Sequence, residues 1–213
     1  MNRRLAIFSS LALLTIATYI LGWSSLFTVS SVEIIGTKTQ LSSGISKGEK
    51  LARIEPRAIA ATFEKLDWVA DAKVSRNWIN GKVSIEIIER KPVAIFNNIV
   101  FDSDGSSFVL PDGTPSSPLV QIQASDLVAA KKAVTFFSSL PVDLKSALTV
   151  VKVRSSGSLV LEVINAGKNL EIRWGDDSDN ELKLKVYKAL IALPENASIK
   201  RVDVSAPHAP IVK

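Results

Sequence analysis

The residues that could carry chemistry in this 213-residue chain are few. Acid–base or covalent catalysis needs a nucleophile, a base and an orienting group converging on one pocket. The single histidine, His208, sits between Pro207 and Pro210 near the end of the sequence, where a solvated or contact role fits better than that of a catalytic base. Without cysteine or a second histidine, the usual zinc sites are excluded. The run Asp176-Asp177-Ser178-Asp179-Asn180-Glu181 has the oxygens of a hard-cation site but no glycine where a calcium loop needs one. It reads instead as the start of a helix, with Ser178 and Glu181 in capping-box register. Asp102-Ser103-Asp104-Gly105 brings its glycine two positions early for calcium and reads as a hairpin turn. Asn196-Ala197-Ser198 matches a glycosylation sequon, which matters only in a eukaryotic secretory route. A glycosidase-type carboxylate pair is defined by spatial separation and stays open at this level, although the acids fall mostly in turns and on the polar parity of strands. No catalytic residue, cofactor or metal ligand is assigned, and the chain reads as non-enzymatic.

The elements that would have to position any site start with an apolar segment. Residues 5–32 carry no charge, and the core of that run, residues 5–27, would reach about 34 Å as a helix, enough to span a bilayer. A secretory signal peptide shares the basic start Arg3-Arg4, but its apolar region is only about 7–15 residues long and ends in an A-x-A-like site. The longer run and the lack of such a site favour an uncleaved anchor. Leu5, Leu13, Leu14, Ile16, Ile20 and Leu21 belong to its apolar body, and Trp23 and Tyr19 suit the outer headgroup level. Positive charge at Arg3 and Arg4 holds residues 1–4 in the cytoplasm and sends the rest outside. An external region without disulfides must rely on apolar packing, which a 46% hydrophobic content allows. The net charge of +5 is spread rather than clustered, so it suits anionic headgroups or wall polymers and argues against nucleic acid.

Beyond the anchor, residues 29–35 read as a strand ended by Gly36, followed by a short helix around residues 41–45. Pro56 opens an amphipathic helix with Ile59, Phe63 and Leu66 on one face. In residues 69–77, Ala72, Val74 and Arg76 share a parity. After the Asn80-Gly81 hairpin signal, Val83, Ile85 and Ile87 alternate with polar residues. The order is β-α-α-β-β. Past Pro92, short strands are expected at 94–97, 99–102 and 108–110, with turns at Asn97-Asn98, Asp104-Gly105 and Asp112-Gly113 and a loop at 114–118. Leu127, Ala130, Val134 and Phe137 mark a helix, and three serial strands follow at 149–154, 159–164 and 170–174. A last helix covers 179–193, residues 199–205 form the final strand, and 206–213 are a tail. The fold class is α+β: an N-terminal transmembrane helix, the β-α-α-β-β unit, then a mixed, curved antiparallel β domain with two helices.

Several stretches together resemble one family. Val32-Glu33-Ile34-Ile35-Gly36 follows the anchor at once. Then come Leu66-Asp67-Trp68-Val69-Ala70-Asp71-Ala72-Lys73-Val74-Ser75-Arg76-Asn77-Trp78 and Glu89-Arg90-Lys91-Pro92-Val93-Ala94, with Trp174-Gly175-Asp176, Lys183-Leu184 and Val202-Asp203-Val204-Ser205-Ala206-Pro207 further on. In this order they resemble the FtsQ/DivIB cell-division proteins of bacteria, with Ile79 where the family pattern has proline. The resemblance implies a POTRA domain over 28–93 and an FtsQ-type β domain over 94–213. It also implies a bitopic scaffold at the division septum of the plasma membrane, which binds FtsB (DivIC)- and FtsL-type coiled-coil partners and other divisome membrane proteins, and regulates septal wall synthesis. A POTRA-type assembly or transport accessory of the envelope is the alternative, and a wall enzyme the third reading. Trp68, Val69 and Val74 read as core, while Arg76, Glu89 and Arg90 read as surface charge pairing. In the final strand Val202 and Val204 face inward and Arg201, Asp203 and Ser205 outward. As the last strand of a sheet it would be an unpaired edge, able to take up an extended partner segment along Arg201, Val202, Asp203, Val204, Ser205 and Ala206. The other reading is that it merely closes the sheet.

Overall fold

The computed structural model describes residues 3–22, 26–111, 113, 115 and 117–213, with side chains of the first helix described over 7–20. Met1 and Asn2 of the expected cytoplasmic tail, Trp23 of the expected anchor, and Asp112, Thr114 and Ser116 of the turn and loop expected at 112–118 lie outside the described residues. Two compact units comprise residues 1–90 and 91–213.

The uncharged N-terminal run forms α1 (Arg3–Gly22), 20 residues and so about 30 Å long. Thr15 and Thr18 donate their hydroxyls back to the carbonyls of Leu11 and Leu14 (2.9 and 2.8 Å), absorbing their polarity within the helix. Leu11, Leu13, Leu14 and Ile16 are each more than half exposed. The helix is described as far as Gly22, and Leu26 and Phe27 of the expected 5–27 span lie in a turn and a bend. Among the described residues no helix is long and apolar enough to cross a membrane.

The rest of the first unit is a three-stranded sheet of order β1-β3-β2, with β1 (Ser31–Ile35) parallel to β3 (Lys82–Glu89) and β2 (Val69–Arg76) antiparallel to it. Val83, Ile85 and Ile87 point inward as their alternation requires, under α2 (Pro56–Phe63). In β2 a register shift between Val69 and Asp71 lets both Val69 and Ala72 face the core, which strict alternation forbids. The helix expected around 41–45 is absent. The Ser43 hydroxyl accepts from the Ile45 amide and Gly44 takes φ +67°, a local turn that competes with helix, and a 3₁₀ turn, Leu51–Arg53, stands in the interval instead. Arg76 proves structural rather than a surface pair: its Nη1 donates to the carbonyls of Leu51 and Ile54 (2.9 and 2.7 Å), holding that turn against β2. Arg90 likewise donates to the Asp67 carbonyl (3.0 Å). Gly81 turns the β2–β3 hairpin at φ +72°, and a Cβ there would meet the Thr28 carbonyl oxygen at 2.5 Å, so the position admits only glycine.

The second unit is a nine-stranded sheet of order β12-β11-β10-β9-β8-β7-β4-β5-β6. Its strands are β4 (Ala94–Phe96), β5 (Ile99–Phe101), β6 (Ser107–Phe108), β7 (Val120–Gln123), β8 (Leu148–Val153), β9 (Leu159–Asn165), β10 (Lys168–Gly175), β11 (Arg201–Asp203) and β12 (Ile211–Val212). The antiparallel expectation holds for the β8-β9-β10 meander, but β4–β7, β7–β8 and β10–β11 pair in parallel. The reason is that α3 (Leu127–Ser139) and α4 (Val142–Ala147) carry the chain from β7 back to β8, and α5 (Asn180–Ile191) carries it from β10 back to β11. Thus β7, β12 and α4 all exceed the sequence reading. Asp102 does make the expected turn, accepting from the amides of Asp104 and Ser106 (3.0 and 2.8 Å).

Leu161, Val163, Ile172, Trp174, Val202 and Val204 share one core with Ala133, Phe136 and Phe137 of α3 and Tyr187 of α5, so the helices cover one face of the sheet. Trp174 is fully buried edge-on to Phe136, with centroids 5.7 Å apart, and its indole N–H donates to Asn180 Oδ1 at 2.7 Å. Lys183 is only 1% exposed; its ammonium donates to the Asp176 carbonyl (2.9 Å) and to Asp176 Oδ1 (2.7 Å). The expected Ser178/Glu181 capping box is therefore not what the acidic run builds. Asp179 is the N-cap, left-handed at φ +50° with no side-chain cap bond, and the Ser178 hydroxyl serves Asp176 (2.8 Å).

These contacts yield an ordered set of stabilities. Lys183→Met keeps the stem volume and is expected to cost less than about 1.5 kcal/mol, whereas Lys183→Ala opens a cavity and costs about 2–5 kcal/mol. Asp176→Ala leaves the ammonium buried with one acceptor and should destabilise more than Lys183→Met. Urea unfolding of the three variants reads that order. The hydrogen bond from Lys183, helped by Ser178 and by the lysine charge, holds the Asp176 carboxyl at about 2, below its ordinary 3.8. Because the folded value is the lower one, the stabilisation is complete above 3.8 and is lost as pH falls to about 2. The urea midpoint of Asp176→Asn should lack that dependence.

Candidate partner-binding edge

Strand β11 is short and β-branched at its inward positions, so Val202 and Val204 bury completely while Arg201 and Asp203 stay half-exposed on the opposite face. Its register against β10 sets Arg201 beside Glu171 and Asp203 beside Arg173. The Arg201 Nε–H donates to Glu171 Oε1 at 2.8 Å, and the Arg173 Nε–H donates to the same oxygen at 3.2 Å. Arg173 Nη1 stands 3.9 Å from Asp203, whose Oδ1 accepts from the Ser205 amide and hydroxyl (3.1 and 2.6 Å). Partial burial alone would raise the Glu171 carboxyl, but the two arginine hydrogen bonds outweigh it and hold the group below the usual range. Lys152 and Glu162 extend this charged ladder across β8 and β9. Each such pair contributes little to stability, but together they fix the outward side chains in place.

Beyond Val204, whose amide donates to the Arg173 carbonyl (2.9 Å), the chain crosses close over β10. Gly175 takes φ +83°, and a Cβ there would lie 2.8 Å from the Ser205 Cβ, so a side chain at 175 would push the segment away. Ser205 and Ala206 are exposed and already outside the strand. His208 is exposed in the connection that follows, where the Ala209 amide donates to the Ala206 carbonyl (2.9 Å).

The edge itself differs from expectation. Strand β11 is not last in the sheet: β12 lies against it antiparallel, pairing Val202 with Val212 and Asp203 with Ile211. The amides of Lys200 and Arg201 both donate to the Lys213 carbonyl (2.8 and 3.0 Å), and the Lys213 amide donates to the Arg201 carbonyl (2.9 Å). Residues read as a tail thus cover most of the edge expected to be open. Pro210 has no amide to donate and limits the added ladder to 211–213, while Val212 packs against the core and Ile211 is 54% exposed. The sequence signal was the β-branched Ile-Val pair, too short between Pro210 and Lys213 to be read as a strand.

The structure sets Arg201, Val202 and Asp203 in register with Glu171, Ile172 and Arg173, and ties Val204 to the Arg173 carbonyl; Glu171 and Arg173 have no signal in the sequence that singles them out. The anchor residues Leu5, Leu13, Leu14, Ile16, Ile20 and Leu21 fall within α1. Elsewhere in the second unit, a recess of about 790 Å³ beside the start of α3 is lined by Asp126, Lys132, Arg154 and Asp176 among others. Its acids have structural duties: Asp126 accepts from the Ala129 amide as the α3 N-cap (2.9 Å), and Asp176 holds Lys183.

Comparison with known proteins matches residues 27–90 to the family model described as POTRA domain, FtsQ-type. The chain is also 25% identical over 171 residues to the cell division protein FtsQ of Corynebacterium glutamicum, an alignment covering 73% of this chain and 74% of that protein. Coverage of that extent exceeds either compact unit alone, so the likeness runs from the POTRA unit into the nine-stranded sheet. With the POTRA type matched over residues 27–90 and the likeness continuing past it, the chain is similar to the FtsQ-type cell-division proteins.

Proposed function

We propose that this protein is a non-enzymatic scaffold of bacterial cell division, anchored by α1 in the plasma membrane with residues 28–213 outside, acting at the septum. The similarity to a cell division FtsQ supports the role. The exposed apolar side chains of α1, with its threonine hydroxyls turned inward, support the anchor, because such a surface is stable in lipid. On this reading, residues 28–93 and 94–213 act as POTRA and β domains, and the partners are FtsB (DivIC)- and FtsL-type proteins whose engagement regulates septal wall synthesis.

The observation that carries the binding mode is the edge at β11, covered by only the three residues 211–213. A longer extended partner segment would displace 211–213 and pair along residues 201–206, gaining more main-chain bonds than it breaks. Main-chain pairing supplies affinity, and the fixed Arg201–Glu171–Arg173–Asp203 ladder alongside supplies selection.

A fluorescent fusion is expected to collect at the division septum, and uniform envelope labelling would count against the scaffold. The chain should stay with membranes through an alkaline carbonate wash, whereas its release would remove the anchor. Asp203→Pro should abolish capture of an FtsB-type partner in a pull-down while the POTRA unit remains folded by circular dichroism. Ending the chain after Ala206 should strengthen capture about tenfold or more, as the cost of displacing the three main-chain hydrogen bonds of Lys213 disappears. Weaker capture by the shortened chain would place the partner on β12 instead.

A further inference from the structure

We infer that the tip of the β2–β3 hairpin is a lipid-contacting surface, which dips Trp78 and Ile79 into the headgroup layer of the membrane that α1 enters. This rests on the anchor reading of α1. Ile79 is 99% exposed at the tip, Leu26 is 73% exposed, and Trp78 meets Phe27 edge-on with ring centroids 5.9 Å apart. Single exposed apolar residues are ordinary, but an aromatic pair that joins two separate parts of the chain, with an exposed large aliphatic next in sequence to each ring, Leu26 to Phe27 and Ile79 to Trp78, is not.

Position and chemistry select lipid as the occupant. Phe27 is five residues past Gly22, the bound of α1, and five residues of chain reach at most about 17 Å. Since the interfacial layer is about 5–8 Å deep on each side of the hydrocarbon, anything held against Phe27 is kept close to it. Phe27 is fastened to the folded unit, its carbonyl accepting from the Leu51 amide (3.1 Å), so the hairpin cannot drift from the anchor. Trp78 has the amphipathic ring favoured at that depth. The Arg76 guanidinium lies 5.2 Å from its ring centroid, and Arg53 is exposed on the adjoining 3₁₀ turn, placing two cations where phospholipid phosphates would stand. The hairpin is built to present its tip: Asn77 Oδ1 accepts from the amides of Ile79 and Asn80 (3.0 and 3.3 Å), and Gly81 fits against Thr28, leaving Ile79 with nothing of its own chain to cover it.

The absence of cysteine from the sequence makes the test direct. Full-length chain carrying Ile79→Cys, Lys65→Cys or Leu13→Cys is labelled with a polarity-sensitive fluorophore and reconstituted into vesicles of phosphatidylethanolamine and phosphatidylglycerol. Lys65 is exposed just before β2, at the end of that strand away from the tip. The Ile79 label is expected to shift its emission to shorter wavelength and to lose intensity to lipids brominated near the headgroup, while the Lys65 label does neither. An Ile79 label as wet as the Lys65 label overturns the lipid contact. If the Leu13 label is then quenched by deep bromines, the anchor reading stands without it; if the Leu13 label is also in water, the anchor has failed and the contact with it.

Discussion

A positive charge buried beneath a helix sets the geometry on which the second unit depends. The Lys183 ammonium lies out of water and is stable there only where a carbonyl and a carboxylate meet it, and Asp176 supplies both. Asp176 immediately follows β10, so the contact pins α5 to the end of that strand. The indole of Trp174 and the Asn180 amide add a second tie across the same corner. With α5 held so, the chain can return only as a strand parallel to β10, and β11 takes its register there. The edge that would meet a partner is thus placed by a polar contact on the far side of the core.

The sheet then presents two different surfaces. One face is closed by α3, α4 and α5 over Trp174, Phe136 and the inward valines, where apolar burial supplies the stability. The other is polar, and along β8 to β11 its charges neutralise one another from strand to strand. Such a face offers a partner orientation rather than energy, because pairs already made must be exchanged for new ones. An edge has no such constraint: its amides and carbonyls point outward wherever β12 does not reach. This asymmetry is why the proposed capture is assigned to the edge and not to the broad charged face.

The first unit uses a cation in the same manner. Arg76 continues the inward parity of β2, where an arginine would be costly, yet the carbonyls of Leu51 and Ile54 satisfy it and are themselves satisfied. The 3₁₀ turn this secures carries the Leu51 amide that grips Phe27, so one guanidinium links the sheet, the turn and the segment following α1.

Local pattern was enough for the elements whose periodicity is strong. The alternation of Val83, Ile85 and Ile87, the apolar face of α3, the Asp102 turn and the inward valines of β11 are all legible, because each follows from one residue's preference and its near neighbours. The FtsQ-type likeness was legible as well, from motifs kept in order along most of the chain. What the sequence could not determine is how strands meet across distance. Parallel pairing of β10 with β11 depends on where α5 packs, the shift at Val69–Asp71 depends on the partner strand, and Arg76 and Lys183 look like surface charges until their carbonyl acceptors are placed beside them. Most telling is β12: two β-branched residues after a proline have no strand identity of their own and acquire it only because β11 leaves amides and a carbonyl for Lys213 to complete. The sequence by itself determined the inward apolar faces wherever alternation or helical periodicity is strong, while the tertiary structure alone decided which strand lies at an edge and what covers it, since an edge is defined by its neighbour.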